Sequence, residues 1–196
     1  MAIDWTHELA DQLDWHWQHQ LRPRLDGLTD AEYLWEPAPG SWSVRPRAEA
    51  TTAMAVGDGD VVVDFEHPAP EPPPITTIAW RIAHVAIAVL GERAANHFGA
   101  AGSVEYATTR WPLDAAGGLA LLDHHYGEWI TGVRSLDPAG LARPCGPAEG
   151  PFAEYPMAAL VLHINREAIH HGAEIALLRD LYLRRSTRDD SAERAG

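Results

Sequence analysis

His163-Ile164-Asn165-Arg166-Glu167-Ala168-Ile169-His170-His171-Gly172-Ala173-Glu174 threads ligand-type side chains through an otherwise apolar run. Residues three and four apart share a helix face, so His163, Glu167, His170 and His171 fall along one stripe. The flanking apolar residues Leu160, Val161, Ile164, Ala168, Ile175 and Leu178 recur at helical spacing and turn His171 inward, with Glu167 at the border. Burying a carboxylate without a partner costs several kcal/mol or more, so this placement asks for a cation. Against it stands the plain alternative of a solvated helix face. In the doublet, at most one ring points fully inward, and the other sits at the rim. His163, one turn before Glu167, suits a fourth ligand or a donor that orients the carboxylate.

A buried stripe of this kind needs a partner. The segment Thr77-Ile78-Ala79-Trp80-Arg81-Ile82-Ala83-His84-Val85-Ala86-Ile87 supplies another imidazole, His84, among aliphatic neighbours. Alone, His84 reads as a core histidine donating to a backbone carbonyl. Together with the first stretch, two imidazoles and a carboxylate from two packed helices make a three-ligand site that leaves a further position open. His16 and His19, and the pair His124 and His125, are not bracketed by apolar residues in this way and are assigned to the surface or rim.

The remainder of the chain reads as helices. Leu9, Leu13, Trp17, Leu21 and Leu25 predict a first helix over about Asp4 to Leu28, stopped at Asp26-Gly27. Thr76 or Thr77 caps a second, to about Phe98. A third is expected from near Pro112 to Ser135, and a fourth from about Met157 to Leu183. Between the first two lies a tryptophan- and proline-rich excursion, Thr29 to Pro74, in which Val61-Val62-Val63-Asp64-Phe65 alternates as one strand of a small hairpin would. It is expected to be ordered and to wall a pocket. Four amphipathic helices with only a small hairpin predict an all-α four-helix bundle, the excursion being its crossover connection. A single domain over residues 1–184 and a frayed tail over 185–196 are expected.

Composition narrows the function classes. At 196 residues and 46% apolar content, the chain suits one domain with a full core. Its net charge of −13 argues against nucleic acid and anionic membrane as partners. All fifteen cationic side chains are Arg, so Schiff-base and lysine general-base chemistry are excluded. Cys145 is the single cysteine, which excludes an internal disulfide and a thiolate metal cluster, and a metal must take N and O ligands. No apolar stretch reaches the roughly 18 residues of a membrane span. A soluble, cytoplasmic protein acting on a small molecule is expected. No phosphate loop, dinucleotide fingerprint or nucleophile elbow occurs.

Three features together resemble the DinB-like superfamily of metal-binding four-helix bundles. They are Trp80 four residues before His84, the stretch Pro37-Ala38-Pro39-Gly40-Ser41-Trp42-Ser43-Val44 after the first helix, and the histidine-rich segment ending Gly172-Ala173-Glu174. The likeness covers most of residues 5 to 183. Many members carry His-x-x-x-His in the fourth helix, whereas here Arg166 falls where the first of those histidines would stand. Arg166-Glu167 followed by His171 is instead similar to the mycothiol-dependent maleylpyruvate isomerase branch, found in actinobacteria. That match implies a metal held by His84, Glu167 and His171; by their places on the helix His163 and His170 are further ligands or supporting groups. It implies a divalent ion, commonly zinc and sometimes nickel or iron, that activates a low-molecular-weight thiol for transfer to an electrophile or for isomerisation. Arg81, Arg45 or Arg47, with Trp80, would then meet a carboxylated substrate at the mouth of the bundle. The family also contains dimers. A non-catalytic stress or binding protein and a metal-dependent hydrolase are the competing expectations.

Overall fold

The computed structural model describes residues 3–99 and 103–193, with side chains through residue 185. The ends of the expected domain and tail, residues 1–2 and 194–196, lie outside the described residues. The chain is mostly helical, with one small antiparallel sheet of two strands.

The first helix starts where the sequence places it. Asp4 accepts from the His7 amide at the N-terminus of α1 (Trp5–His16). A π-helical segment, Trp17–Leu21, and a 3-10 turn, Arg22–Leu25, carry it on. Pro23 has no amide to donate to the preceding turn, which accounts for the change of hydrogen-bond register there. Gly27, at φ 69°, takes the left-handed backbone that ends the run.

The excursion is ordered, as expected. Thr29 and Glu32 form a reciprocal capping box on the short α2 (Asp30–Tyr33). Strand β1 (Val44–Pro46) pairs with β2 (Val61–Val63), Val44 opposite Val63. One side chain fastens this sheet to the helices. Asp64 is fully buried and accepts from the Ser43 amide at 3.0 Å and from Arg45 Nε at 2.7 Å, while its carbonyl accepts from Trp80 Nε1 at 2.8 Å.

The second helical run opens on the Thr77 cap, as α3 (Ile78–Ala83). It continues as a π-helical segment, His84–Gly91, and then as α4 (Glu92–Phe98), closed by Gly99. The sequence pattern gives one uninterrupted helix here and does not show the π segment. Next come α5 (Ala115–Arg134), capped by Asp114, and the short α6 (Pro138–Ala142). The last helix, α7 (Met157–Glu193), runs on past the expected end near Leu183.

α1 packs on α5 and α7, α3 packs on the same two helices, and the π segment His84–Gly91 lies chiefly against α5. Leu13, Leu25, Ile82, Leu90, Leu122, Trp129, Ile164 and Ile175 fill the space between them, all nearly inaccessible to solvent. Each such side chain contributes about 1.5–3 kcal/mol by burial. Polar ties fix the helices against one another. Asn165 on α7 is buried and donates Nδ2 to the Leu9 carbonyl of α1 at 2.8 Å. Among the described residues, no helix is long and apolar enough to cross a membrane.

Candidate metal centre

His84 is the first residue of the π segment, a rare geometry that recurs at functional sites. Its ring stacks on Trp80, one turn earlier, at 5.4 Å and 14°. On the other side it meets the His171 ring edge to face, the centroids 4.7 Å apart. Its Nδ1 lies 3.3 Å from the Tyr106 hydroxyl. Burial above all, then the nearby His171 and Arg81, push the His84 pKa down to about 4, against the pull of Glu167 and Glu174. At neutral pH the ring is therefore an uncharged imidazole, the form that binds metal.

His171 is buried, and its neighbour His170 is exposed, so the ring that faces His84 is that of His171. Its two nitrogens have different partners. Nδ1 is 2.7 Å from Glu174 Oε2, whereas Nε2 is 3.7 Å from Glu167 Oε2. A carboxylate only accepts, so Nδ1 is the donor in the short contact, and in the neutral ring Nε2 would carry the lone pair on the Glu167 side. Arg81 completes the arrangement from α3. Its Nε is 3.1 Å from the same Glu174 oxygen, its Nη1 is 3.5 Å from His171 Nδ1, and its guanidinium lies over the Trp80 ring. Burial lowers the Arg81 pKa and Glu174 opposes that shift.

Glu167 is half-buried at the edge of this cluster. His163 Nδ1 approaches its Oε1 to 3.6 Å, and Arg166 Nε reaches the same oxygen at 3.4 Å while Arg166 Nη2 is 2.6 Å from His163 Nδ1. His170 instead points Nε2 toward Glu174, 3.6 Å away. His84 and His171 thus face each other with Trp80 and Arg81 beside them, and Glu167 stands at their edge, 3.7 Å from His171 Nε2, with His163 one turn off. Arg45 and Arg47, offered above as carboxylate receptors, are engaged elsewhere. Arg45 holds Asp64, Glu36 and the Ser41 carbonyl, and Arg47 holds the carbonyls of Gly57 and Gly59.

Two residues join the site that the sequence did not mark. Glu174 sits three positions after His171, the helical spacing that would have exposed its role. Tyr106 comes from a short 3-10 turn after the second helical run, and no local pattern points to it. Burial raises its pKa, so the hydroxyl stays protonated.

Among the described residues, the groups whose ligand atoms all lie within 4.8 Å of one another sit on single helices: His170, His171 and Glu174 on α7, and His124, His125 and Glu128 on α5. The set His84, Glu167 and His171 is more widely spaced. The sequence puts His124 and His125 at the surface or rim, yet His125 is buried, with Nδ1 2.9 Å from Glu128 Oε2. A Cβ added at Gly91 would lie only 3.0 Å from that nitrogen, so the ring occupies space left by a glycine on the facing helix. His16 is also partly covered. Its Nε2 is buried without a hydrogen-bond partner and faces Gly172.

The fold and this cluster define a helical protein with a candidate histidine and carboxylate metal centre. The chain belongs to the DinB superfamily, whose family model matches residues 62–175. The matched span begins in β2 and ends one residue past Glu174, so it contains every residue of the cluster and leaves out α1. No match is found among curated proteins or among solved structures.

Proposed function

We propose that this protein is a divalent-metal-dependent enzyme in which His84, Glu167 and His171 hold the ion and a low-molecular-weight thiol of the mycothiol type is the co-substrate. The reaction class is thiol transfer to an electrophile, or thiol-assisted isomerisation. The carrying observation is the setting of His171, with Nδ1 on Glu174 and Nε2 turned to Glu167, beside a His84 that burial keeps neutral. A carboxylate behind a histidine fixes its tautomer and strengthens it as a ligand. Two imidazoles and one carboxylate suit zinc, with nickel and iron as alternatives. When bound, the ion supplies a Lewis acid that renders a thiol acidic enough to act as a nucleophile near neutral pH. The protein's own groups position that chemistry. Glu174 orients His171, Trp80 backs His84, and Arg81 offers a cation to an anionic substrate.

This reading takes the packed helical runs as the four-helix bundle of the family, one domain over residues 1–184, working in the cytoplasm. His84, Glu167 and His171 are preferred over the more closely spaced single-helix groups because they come from two helices and because the His84 and His171 rings face each other. His170 is exposed, and Glu174 is already engaged by Arg81.

Plasma mass spectrometry of tag-free protein tests the assignment. About one equivalent of one transition metal per chain is expected. Glu167→Ala should empty the site while helical circular dichroism stays intact, and a variant that keeps full occupancy overturns the ligand set. Turnover of an electrophile that depends on added thiol supports the transferase or isomerase class, whereas turnover without thiol overturns it in favour of hydrolysis.

A further inference from the structure

Beside His163 and Arg166 lies a cavity of about 600 Å³, between the start of α7 and the loop that precedes it. Its polar edge is formed by His163 and Arg166, the same two side chains that contact Glu167. Its floor is apolar, with Leu160 and Cys145 both buried. Arg93 and Glu149 also line the cavity, and on its loop side stand Phe152 and Tyr155. They are 57% and 55% exposed, and their rings stand 5.6 Å apart at 62°.

Two neighbouring aromatic rings left in water are a cost unless something covers them. They are also held in place. The Cys145 amide donates to the Tyr155 carbonyl at 2.8 Å, the Gly146 amide to the Ala153 carbonyl at 2.8 Å, and the Tyr155 amide to the Phe152 carbonyl at 2.9 Å. Gly150, at φ 52°, supplies the left-handed backbone that turns the chain before Phe152. The rings are thus pre-set on a braced loop, which lowers the ordering cost of binding.

The cations around this cavity are not equivalent. Arg93 is committed, donating to the Ala88 carbonyl at 2.8 Å and to Glu92 at 3.0 Å, and lying 3.6 Å from Glu149. Glu149 itself is occupied by His97 Nε2 at 2.9 Å. Arg166 is 69% exposed in its side chain; one Nη2 contact goes to His163 Nδ1 at 2.6 Å, and its charged partner among those described is Glu167 at a long 3.4 Å, which leaves its outer N–H groups facing the cavity. It is the guanidinium placed to receive an anion, and its planar fork suits a carboxylate.

We infer that this cavity is a binding site for a small carboxylate with a flat apolar body, the carboxylate on Arg166 and the body against Phe152 and Tyr155. It deepens the proposed function by giving the substrate class of the acceptor. It rests on that reading only for the link to catalysis, since the cavity and its charge are independent of any metal.

The test uses 2-naphthoate and its neutral analogue 2-naphthamide as probes, titrated into the full-length protein in EDTA and followed by calorimetry. Wild type should bind the carboxylate about tenfold more tightly than the amide, an advantage typical of a charge-assisted contact. Arg166→Gln should erase that preference, and Phe152→Ala should weaken both probes alike. Both positions are exposed, so the variants should fold. Equal affinities in wild type, a preference that survives Arg166→Gln, or no binding of either probe overturns the inference. Binding of 2-naphthoate that needs added zinc and is lost in Glu167→Ala also overturns it, because the carboxylate then sits on the metal. That outcome would leave the metal assignment standing. Zero metal stoichiometry with normal naphthoate binding would do the reverse.

Discussion

His84 and His171 come from different helices and meet edge to face, their ring centroids 4.7 Å apart, with no acidic group closer than 3.7 Å to Nε2 of His171 among the described ion pairs. The contact is tolerable because His84 is uncharged, its pKa pushed down from 6.5 to about 4 by burial first and by His171 and Arg81 next. In the unfolded chain this histidine takes up a proton as pH falls below 6.5, and in the folded chain it does not until about 4. Its contribution to stability is therefore full above about pH 6.5, declines as pH drops toward 4, and levels off below. The loss amounts to at most about 3 kcal/mol. In metal-free protein, urea midpoints of wild type should fall more steeply between pH 7.5 and 4.5 than those of His84→Gln. Buried histidines that do not touch His84 affect both proteins equally, so parallel curves would refute the assignment.

Glu174 stands 2.7 Å from His171 Nδ1, where it accepts when that nitrogen carries a proton, while it pairs with Arg81 at 3.1 Å. Replacing it by Gln keeps the shape and removes the charge that fixes the tautomer. Glu174→Gln should still bind metal at saturation but with affinity about 10–100-fold lower, as expected when a carboxylate behind a ligating histidine is lost. Competition with a chelating dye measures this. An unchanged affinity would show that Glu174 is only a structural partner of Arg81.

The helical runs were legible because their apolar residues repeat at helical spacing and their caps, Asp4, Thr77 and Asp114, are local signals. His84 and His171 were legible for the same reason, each lying on a face that its neighbours declare apolar. His125 and His16 were not. They are covered because a glycine stands opposite on another helix, Gly91 for the first and Gly172 for the second, and the space left by a missing side chain on a distant segment has no signature in the residue's own neighbourhood. The π segment at His84–Gly91 is equally silent, since its composition is that of any buried helix. Long-range contact also explains Tyr106, which reaches His84 across twenty-two positions.

The excursion should be held by Asp64 more than by its strands. Asp64→Ala leaves the Arg45 guanidinium, 14% exposed, without its nearest carboxylate and strips the Ser43 amide of its acceptor. Removing one partner of a buried pair costs about 3–5 kcal/mol. Asp64→Asn can still accept from the Ser43 amide and should cost less. Neither change removes the backbone carbonyl that Trp80 Nε1 uses, so the Trp80 and His84 stack should survive. Denaturant unfolding should therefore report lower stability in the order wild type, Asn, Ala, with metal stoichiometry unchanged in folded protein. Loss of metal in Asp64→Asn would mean that the sheet shapes the site directly.

Gly132 on α5 gives a packing test away from the site. A Cβ there would lie 2.1 Å from Cδ2 of Phe98, whose ring packs on the fully buried Trp129 at 5.4 Å. Alanine improves helix propensity by about 1 kcal/mol in an exposed helix interior. Here that gain is opposed by overpacking against a ring that cannot retreat through Trp129, at about 1–3 kcal/mol. Gly132→Ala is thus expected to be destabilising by about 1 kcal/mol net, seen as a lower urea midpoint with unchanged slope. Adding Phe98→Leu should recover part of the loss, because the smaller side chain frees the space that the new methyl needs. A Gly132→Ala protein more stable than wild type would show that Phe98 rotates away freely and that α4 is not locked on α5 at this point.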